Sequence, residues 1–158
     1  MVEEGSVEDQ VFSIFSELAS TLGYSPIHGK IIGALLVAGK PISLQELSAR
    51  VRYSAGMVSL SLDLLEVLGV VKKVKKPGDR KLYVQMEGDL LEALKKAVII
   101  KVKKGIDESL RGLGARKGAM EELGPAERKA AARTIAVLEG EIKRLEKYVN
   151  LLSEIRLP

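Results

Sequence analysis

Apolar residues recur with a helical period through the first part of the chain, switch to strict alternation for about fifteen residues, then return to helical spacing. In the first helical stretch Val11, Phe12, Ile14, Phe15, Leu18 and Leu22 follow Ser6, a residue able to cap the helix start, and Gly23 stops it. Ser25-Pro26 opens a second helix, because proline at the first helical position loses no needed hydrogen bond and has its φ already set. Its apolar positions are Ile27, Ile31, Ile32, Leu35 and Leu36; Gly39 ends it and Pro41 prevents continuation. The third start is the most fully specified. Ser43 and Glu46 have the spacing of a capping box, each side chain satisfying a backbone N–H, and Ile42 and Leu47 sit where a hydrophobic staple requires them. A short helix to about Val51 follows. Ser54 can cap a fourth, in which Val58, Leu62 and Leu65 face the core; Gly69 ends it, with Val70 folding back on Leu65 in a Schellman-type contact.

The alternating stretch is VVKKVKKPGDRKLYVQ, residues 70–85. It predicts a β-hairpin: Val71, Lys73 and Lys75 alternate with Lys72 and Val74, a Pro77-Gly78 turn of type I or II reverses the chain, and Leu82, Val84 and Met86 share a face opposite Tyr83. From Asp89 the helical period returns, with Leu90, Leu91, Leu94, Val98 and Val102 predicting one long segment. Gly112, Gly114, Gly118, Gly124 and Pro125 predict a flexible or turning interruption. A last helix is expected from Ala126 to Ile155, where Ile135, Leu138, Ile142, Leu145, Val149 and Leu152 step alternately by three and four. That is a heptad seam, and so narrow a seam requires a second helix.

Charge sharpens this picture only once it is mapped. The 158-residue chain has a net charge of +4, but residues 1–22 carry five acids and no base, residues 23–88 ten bases against five acids, and residues 89–158 fifteen against eleven. The excess is densest at residues 72–81, where Lys72, Lys73, Lys75, Lys76, Arg80 and Lys81 face Asp79 alone. Lysines protect exposed strand edges from pairing, but six cations in ten residues exceed that need. The excess points to a polyanion.

Composition excludes several classes. With no cysteine there is no disulfide, thiolate metal site or cysteine nucleophile, which fits a reducing compartment. Apolar runs are short and the acidic start MVEEGSVEDQ lacks the pattern of a signal peptide, so a folded cytoplasmic protein is expected, without a membrane span. His28 is the sole histidine and is read as a helix-start or dimer-surface residue, so no metal is expected. No nucleophile is placed, the serines serve as caps, and the glycines at 112, 114 and 118 lack the flanks of a phosphate-binding loop. Neither an enzyme nor a cofactor is expected.

Two helices joined by a tight turn and followed at once by a basic hairpin have the order of a winged helix-turn-helix. The fold class is therefore mainly α (α+β): an N-terminal helix and winged module over residues 1–88, and a C-terminal helical dimerisation region over 89–158. Helix 54–68 is the candidate recognition helix, presenting Ser54, Ala55, Gly56, Ser59 and Leu60, with Asp63 on the same outward side. Small residues at its start allow close approach to phosphate.

The residues SAGMVSLSLDLLEVLGVVKKV (54–74) and PGDRKLY (77–83), with GYSPIHGKIIGALLVAGKPISLQELS (23–48) upstream, resemble the MarR-type winged-helix regulators, and especially the branch of the glycine-betaine-synthesis repressor, GbsR. The match covers roughly residues 8–90 and includes Ser54, Gly56, Val58, Ser59, Leu62, Leu65, Gly69, Lys73, Val74 and the Pro77-Gly78-Asp79-Arg80-Lys81 wing. One position departs: the family often carries a base where Asp63 stands. The resemblance implies transcriptional regulation by DNA binding, homodimers joined by flanking helices, and in some members a small effector.

The combined expectation is a homodimer on palindromic double-stranded DNA, its phosphates held by Lys72, Lys73, Lys75, Lys76, Arg80 and Lys81, its bases read weakly by helix 54–68. The seam from Ile135 to Leu152 would join the two copies, or alternatively pack within the chain on Leu91, Leu94 and Val98. Two rival functions stay open: a protein-interaction adaptor using Leu60, Asp63, Leu64 and Val67, and a sensor holding a small ligand in a cleft between the DNA module and the C-terminal helices.

Overall fold

The structure is a computed structural model, described here for residues 6–158; Glu3 and Glu4 of the acidic start lie outside the described residues. The elements run α1 (Val7–Thr21), α2 (Pro26–Ala38), β1 (Ile42–Ser43), α3 (Leu44–Val51), α4 (Ala55–Val67), β2 (Val71–Lys75), β3 (Leu82–Met86), α5 (Leu90–Ala119), a single 3-10 turn (Met120–Glu122) and α6 (Pro125–Glu154). Contacts divide them into two compact units, one ending at Ala97 and one from Val98 to Pro158, the division falling inside α5.

The local signals of the first unit form as predicted. Ser6, Ser43 and Ser54 each accept a hydrogen bond from the amide three residues on, at 3.2, 3.1 and 3.3 Å. Pro26 is the first residue of α2, and Gly39 ends that helix in the left-handed conformation, φ +61°. At the end of α4, Gly69 has φ +76° and donates to Glu66 O, while Val70 donates to Leu65 O at 3.1 Å. That pair of bonds is the predicted Schellman closure. The box at Ser43 forms only in half: the Glu46 carboxylate is taken by Arg50 Nη2 at 2.8 Å, and Arg50 Nη1 reaches Glu8 on α1 at 3.3 Å.

One core holds the winged unit together. Ile31, Leu47, Val58, Leu62 and Val84 have no exposed surface, and they draw in Phe12 from α1 and Ala93 and Ala97 from the first turns of α5. The sheet has the order β1-β3-β2, all antiparallel, with Val71 opposite Met86, Lys73 opposite Val84 and Lys75 opposite Leu82. Leu82, Val84 and Met86 therefore share one face and Tyr83 the other, as the alternation requires. The third strand is new: Ile42 and Ser43 pair with Val84 and Tyr83, so the staple residue of α3 is also a strand residue. Helices α1 and α2 cross almost in backbone contact, because a Cβ on Gly29 would lie 1.9 Å from Phe15 O.

Two expectations for the C-terminal half change. The glycine-rich stretch does not interrupt the helix: Gly105, Gly112, Gly114 and Gly118 all lie within α5, and the chain reverses only at Met120–Gly124. Each helical glycine costs about 1 kcal/mol against alanine, too little to break a thirty-residue helix that has side chains to bury. Near its start α5 buries Ala93 and Ala97, whereas Leu90, Leu91 and Val98 of the predicted stripe remain partly exposed. Small side chains let the helix axis come close; the leucines fall to either side of that contact.

Within the second unit, α6 runs back along α5. Lys117 Nζ meets Glu139 Oε1 at 2.8 Å, and Leu113, Arg116, Leu138 and Ile142 line one groove. The heptad splits by position. Ile135 and Val149 are buried and Ile142 half-buried, while Leu138, Leu145 and Leu152 retain 46, 45 and 37 % exposure. No helix among the described residues is long and apolar enough to cross a membrane.

Candidate nucleic-acid interface

The wing is a stiff loop because its turn is bonded from several sides. Asp79 N donates to Lys76 O at 3.1 Å across Pro77-Gly78, and Gly78 has φ +75°, which makes the turn type II. The Asp79 carboxylate then closes the far side, accepting from Lys81 N at 2.9 Å and from Tyr83 Oη at 2.8 Å. The Lys81 amide, and after it the Tyr83 hydroxyl, hold the Asp79 carboxyl below its usual range; the same bond pushes the Tyr83 phenol up. Tyr83 also carries the Lys76 ammonium 3.9 Å from its ring centre. The sequence marks Asp79 as part of the wing motif but not the bonds by which it and Tyr83 close the turn, although an Asp two residues before a turn-closing amide is a known local signal.

The six cations divide by this geometry. Lys75, Arg80 and Lys81 are exposed and form no ion pair among the described residues. Lys76 rests on Tyr83 and Lys72 lies 3.6 Å from Glu87, both still exposed to solvent. Lys73 differs. It points from β2 onto the outward side of α4, where it binds Asp63 and lies 3.4 Å from Glu66 Oε2. Its hydrogen bond with Asp63, with the Glu66 charge beside it, raises the Lys73 pKa. The acid that departs from the resembled family is therefore paired within the protein.

On α4 the predicted outward residues are where the period places them. Ser54, Ala55, Gly56 and Leu60 are exposed and Ser59 half-buried. Space is open around Gly56. Ser54 Oγ is engaged by Met57 N, and Ser61 Oγ donates to Met57 O at 2.9 Å. Met57, absent from the predicted set, is 51 % exposed, three residues before Leu60 at 73 %.

Beside this surface the winged unit contains a cavity of about 450 Å³ between α1, α2, α4 and the start of α5. Its walls are apolar, with Phe15, Leu18, Leu64 and Leu94 among them, and Tyr24, His28 and Asp89 at its polar points. Tyr24 Oη donates to Ala97 O at 2.7 Å, and burial raises its pKa. His28 Nδ1 lies 3.2 Å from Ser25 O, its ring edge-on to Tyr24.

No protein-family model matches the chain, and no curated protein matches its sequence. Among solved structures, the crystal structure of a transcriptional regulator is 17 % identical, with 94 % of this chain and 99 % of that one covered and a TM-score of 0.56. This likeness shows the fold, a winged helix-turn-helix with flanking helices. Looser likenesses include the regulator BldR of Sulfolobus solfataricus, 20 % identical over 88 % of this chain and 86 % of that one, TM-score 0.43. Another is a mutant MarR from E. coli complexed with operator DNA, 19 % identical over 87 % of this chain and 84 % of that one, TM-score 0.41. At those scores they add nothing to the fold assignment.

Proposed function

We propose that the protein is a DNA-binding transcriptional regulator of the MarR type, acting as a homodimer on palindromic duplex DNA. In this reading residues 1–88 bind DNA and residues 89–158 join the two copies. The observation that carries it is the pinned wing: Lys75, Arg80 and Lys81 stand exposed, without an ion pair among the described residues, on a turn fixed by Asp79, Tyr83 and Gly78. The fixed turn sets where these side chains start, so on meeting phosphates only the side chains and not the loop have to be ordered. Lys72 and Lys76 extend the same surface, while Ser54, Ala55, Gly56, Ser59 and Leu60 face the bases. The fold neighbour, itself a transcriptional regulator, supports this choice among the uses of winged helices.

Self-association is supported by the unsatisfied half of the seam. Leu138, Leu145 and Leu152 lie seven residues apart on α6, each more than a third exposed. A second copy would cover them and double the phosphate contacts, with half-sites about one helical turn apart, ~34 Å.

Titration of a random duplex against salt tests the reading. Replacing Arg80 and Lys81 with alanine should flatten the log–log salt dependence by ~0.9 for each lost phosphate contact. An unchanged slope removes the wing from the interface. The cavity near His28 supports a compatible second reading, a small apolar effector, because its walls offer buried apolar area with few polar anchors. A thermal-shift screen of small apolar compounds tests it, since a ligand of the native state raises Tm.

A further inference from the structure

The outward side of α4 lacks the groups that ordinarily read bases. From Ala55 to Val67 it has no Arg, Lys, Asn, Gln or His. Of its polar side chains, Ser61 is buried and turned to Met57 O, and Asp63 is bound by Lys73, with Glu66 also beside that ammonium. Among the described residues, Ser59, half-buried, is the polar side chain of the helix left to bond a base edge without a protein partner competing for it. What the helix offers instead is apolar: Met57 and Leu60, one turn apart near its start, are among the most exposed large hydrophobic side chains of the winged unit. Gly56, one turn before Leu60 on the same side, leaves open space through which the backbone can approach closely.

In the major groove the one apolar feature that distinguishes a base pair is the 5-methyl group of thymine. We infer that Met57 and Leu60 read thymine methyl groups, so that sequence preference is carried by apolar contact rather than by bidentate hydrogen bonds. This rests on the DNA-binding reading above. Charge complementarity favours DNA over a protein partner for this face: the exposed Lys75, Arg80 and Lys81 belong to the hairpin whose first strand touches α4 through Lys73. The cations supply phosphate attraction, and Lys73 offsets the acids that would oppose it.

The test uses the full chain and the best duplex selected from a random library at moderate salt. Each thymine is replaced in turn by deoxyuridine, which removes the methyl and nothing else, and affinity is read by fluorescence anisotropy. One or two positions in each half-site should weaken about four-fold, the worth of one buried methyl-sized group. In Leu60→Ser or Met57→Ser, both changes at exposed positions, the thymine-to-deoxyuridine ratio at the matching position should fall to one while the salt slope stays unchanged. Duplex binding with no such difference at any position overturns the inference and leaves the DNA-binding reading standing. So does a difference that survives in both variants. Unchanged affinity and preference in both variants removes Met57 and Leu60 from the DNA interface and likewise overturns it. Absence of duplex binding even in dilute buffer overturns the DNA-binding reading and this inference with it.

Discussion

Lys73, in the middle of the first wing strand, binds Asp63 on the outward side of the candidate recognition helix, so one of the six wing cations is committed inside the protein. On the proposed DNA-binding reading, removing either partner should therefore change duplex affinity in opposite senses. Asp63→Asn takes away a negative charge near the phosphates, and about five-fold tighter duplex binding is expected, the value of ~1 kcal/mol between charges in water. Lys73→Met removes a cation and uncovers two acids, and should weaken binding more than Lys75→Met. Because Asp63 is exposed and Lys73 only half-buried, neither change should move folding stability by more than about 1 kcal/mol. Anisotropy titrations beside thermal melts separate the two effects.

The wing should loosen in acid. The Asp79 pKa is lowered in the folded chain, so the carboxylate contributes its bonds fully above the ordinary carboxylate range, about pH 4, and loses them as pH falls through the lower folded value. An NMR titration should show the Lys81 amide and the Tyr83 ring moving together below that range. Asp79→Ala should give the loosened spectrum at neutral pH and weaken duplex binding with Lys75, Arg80 and Lys81 all in place.

Gly29→Ala should be among the most damaging single-atom additions to the protein. Its Cβ would meet Phe15 O at 1.9 Å and Phe15 C at 2.3 Å, both backbone atoms that cannot yield without parting α1 from α2. A loss of about 3 kcal/mol or more is expected, at the upper end for overpacking. Gly140→Ala, with open space around it inside α6, should instead gain roughly 0.5–1 kcal/mol by helix propensity. Urea melts of the two variants should move in opposite directions.

If the exposed half of the α6 seam joins two copies, Leu145→Ser should shift the oligomer toward monomer. Fully burying a leucine is worth about 1.5–3 kcal/mol; Leu145 is 45 % exposed, so under half of that is at stake, and a symmetric interface loses it twice, so the dissociation constant should rise about ten- to a hundred-fold. Light scattering across a dilution series reads this directly. Ile142→Ser would confuse the answer, because Ile142 also lines the groove shared with α5.

What is legible in the sequence is whatever a few neighbouring residues decide. Caps at Ser6, Ser43 and Ser54, the Gly69 closure and the Pro77-Gly78 turn each depend on local backbone chemistry, and all formed. Strand β1 escapes because two residues have no period. The glycines of α5 signal a break only when propensity is weighed without packing, and periodicity alone gives Leu90 and Leu91 the core position that Ala93 and Ala97 occupy. The division of the wing cations depends on partners from other elements: Asp63 lies ten residues from Lys73, and charge counting cannot reveal that they meet.

The short strand at Ile42 and Ser43 has a mechanical consequence. Ser43 opens α3 and pairs with Tyr83, which pins the wing turn; Ile42, buried in the core, pairs with Val84 in the same strand. Helix-turn-helix and wing are thus fastened to each other through one strand, like the jaws of a locked caliper; on the DNA-binding reading they would meet a groove as one piece. A duplex whose groove width does not suit that fixed gauge would have to bend or twist to fit, and the deformability of the DNA would then enter the choice of site.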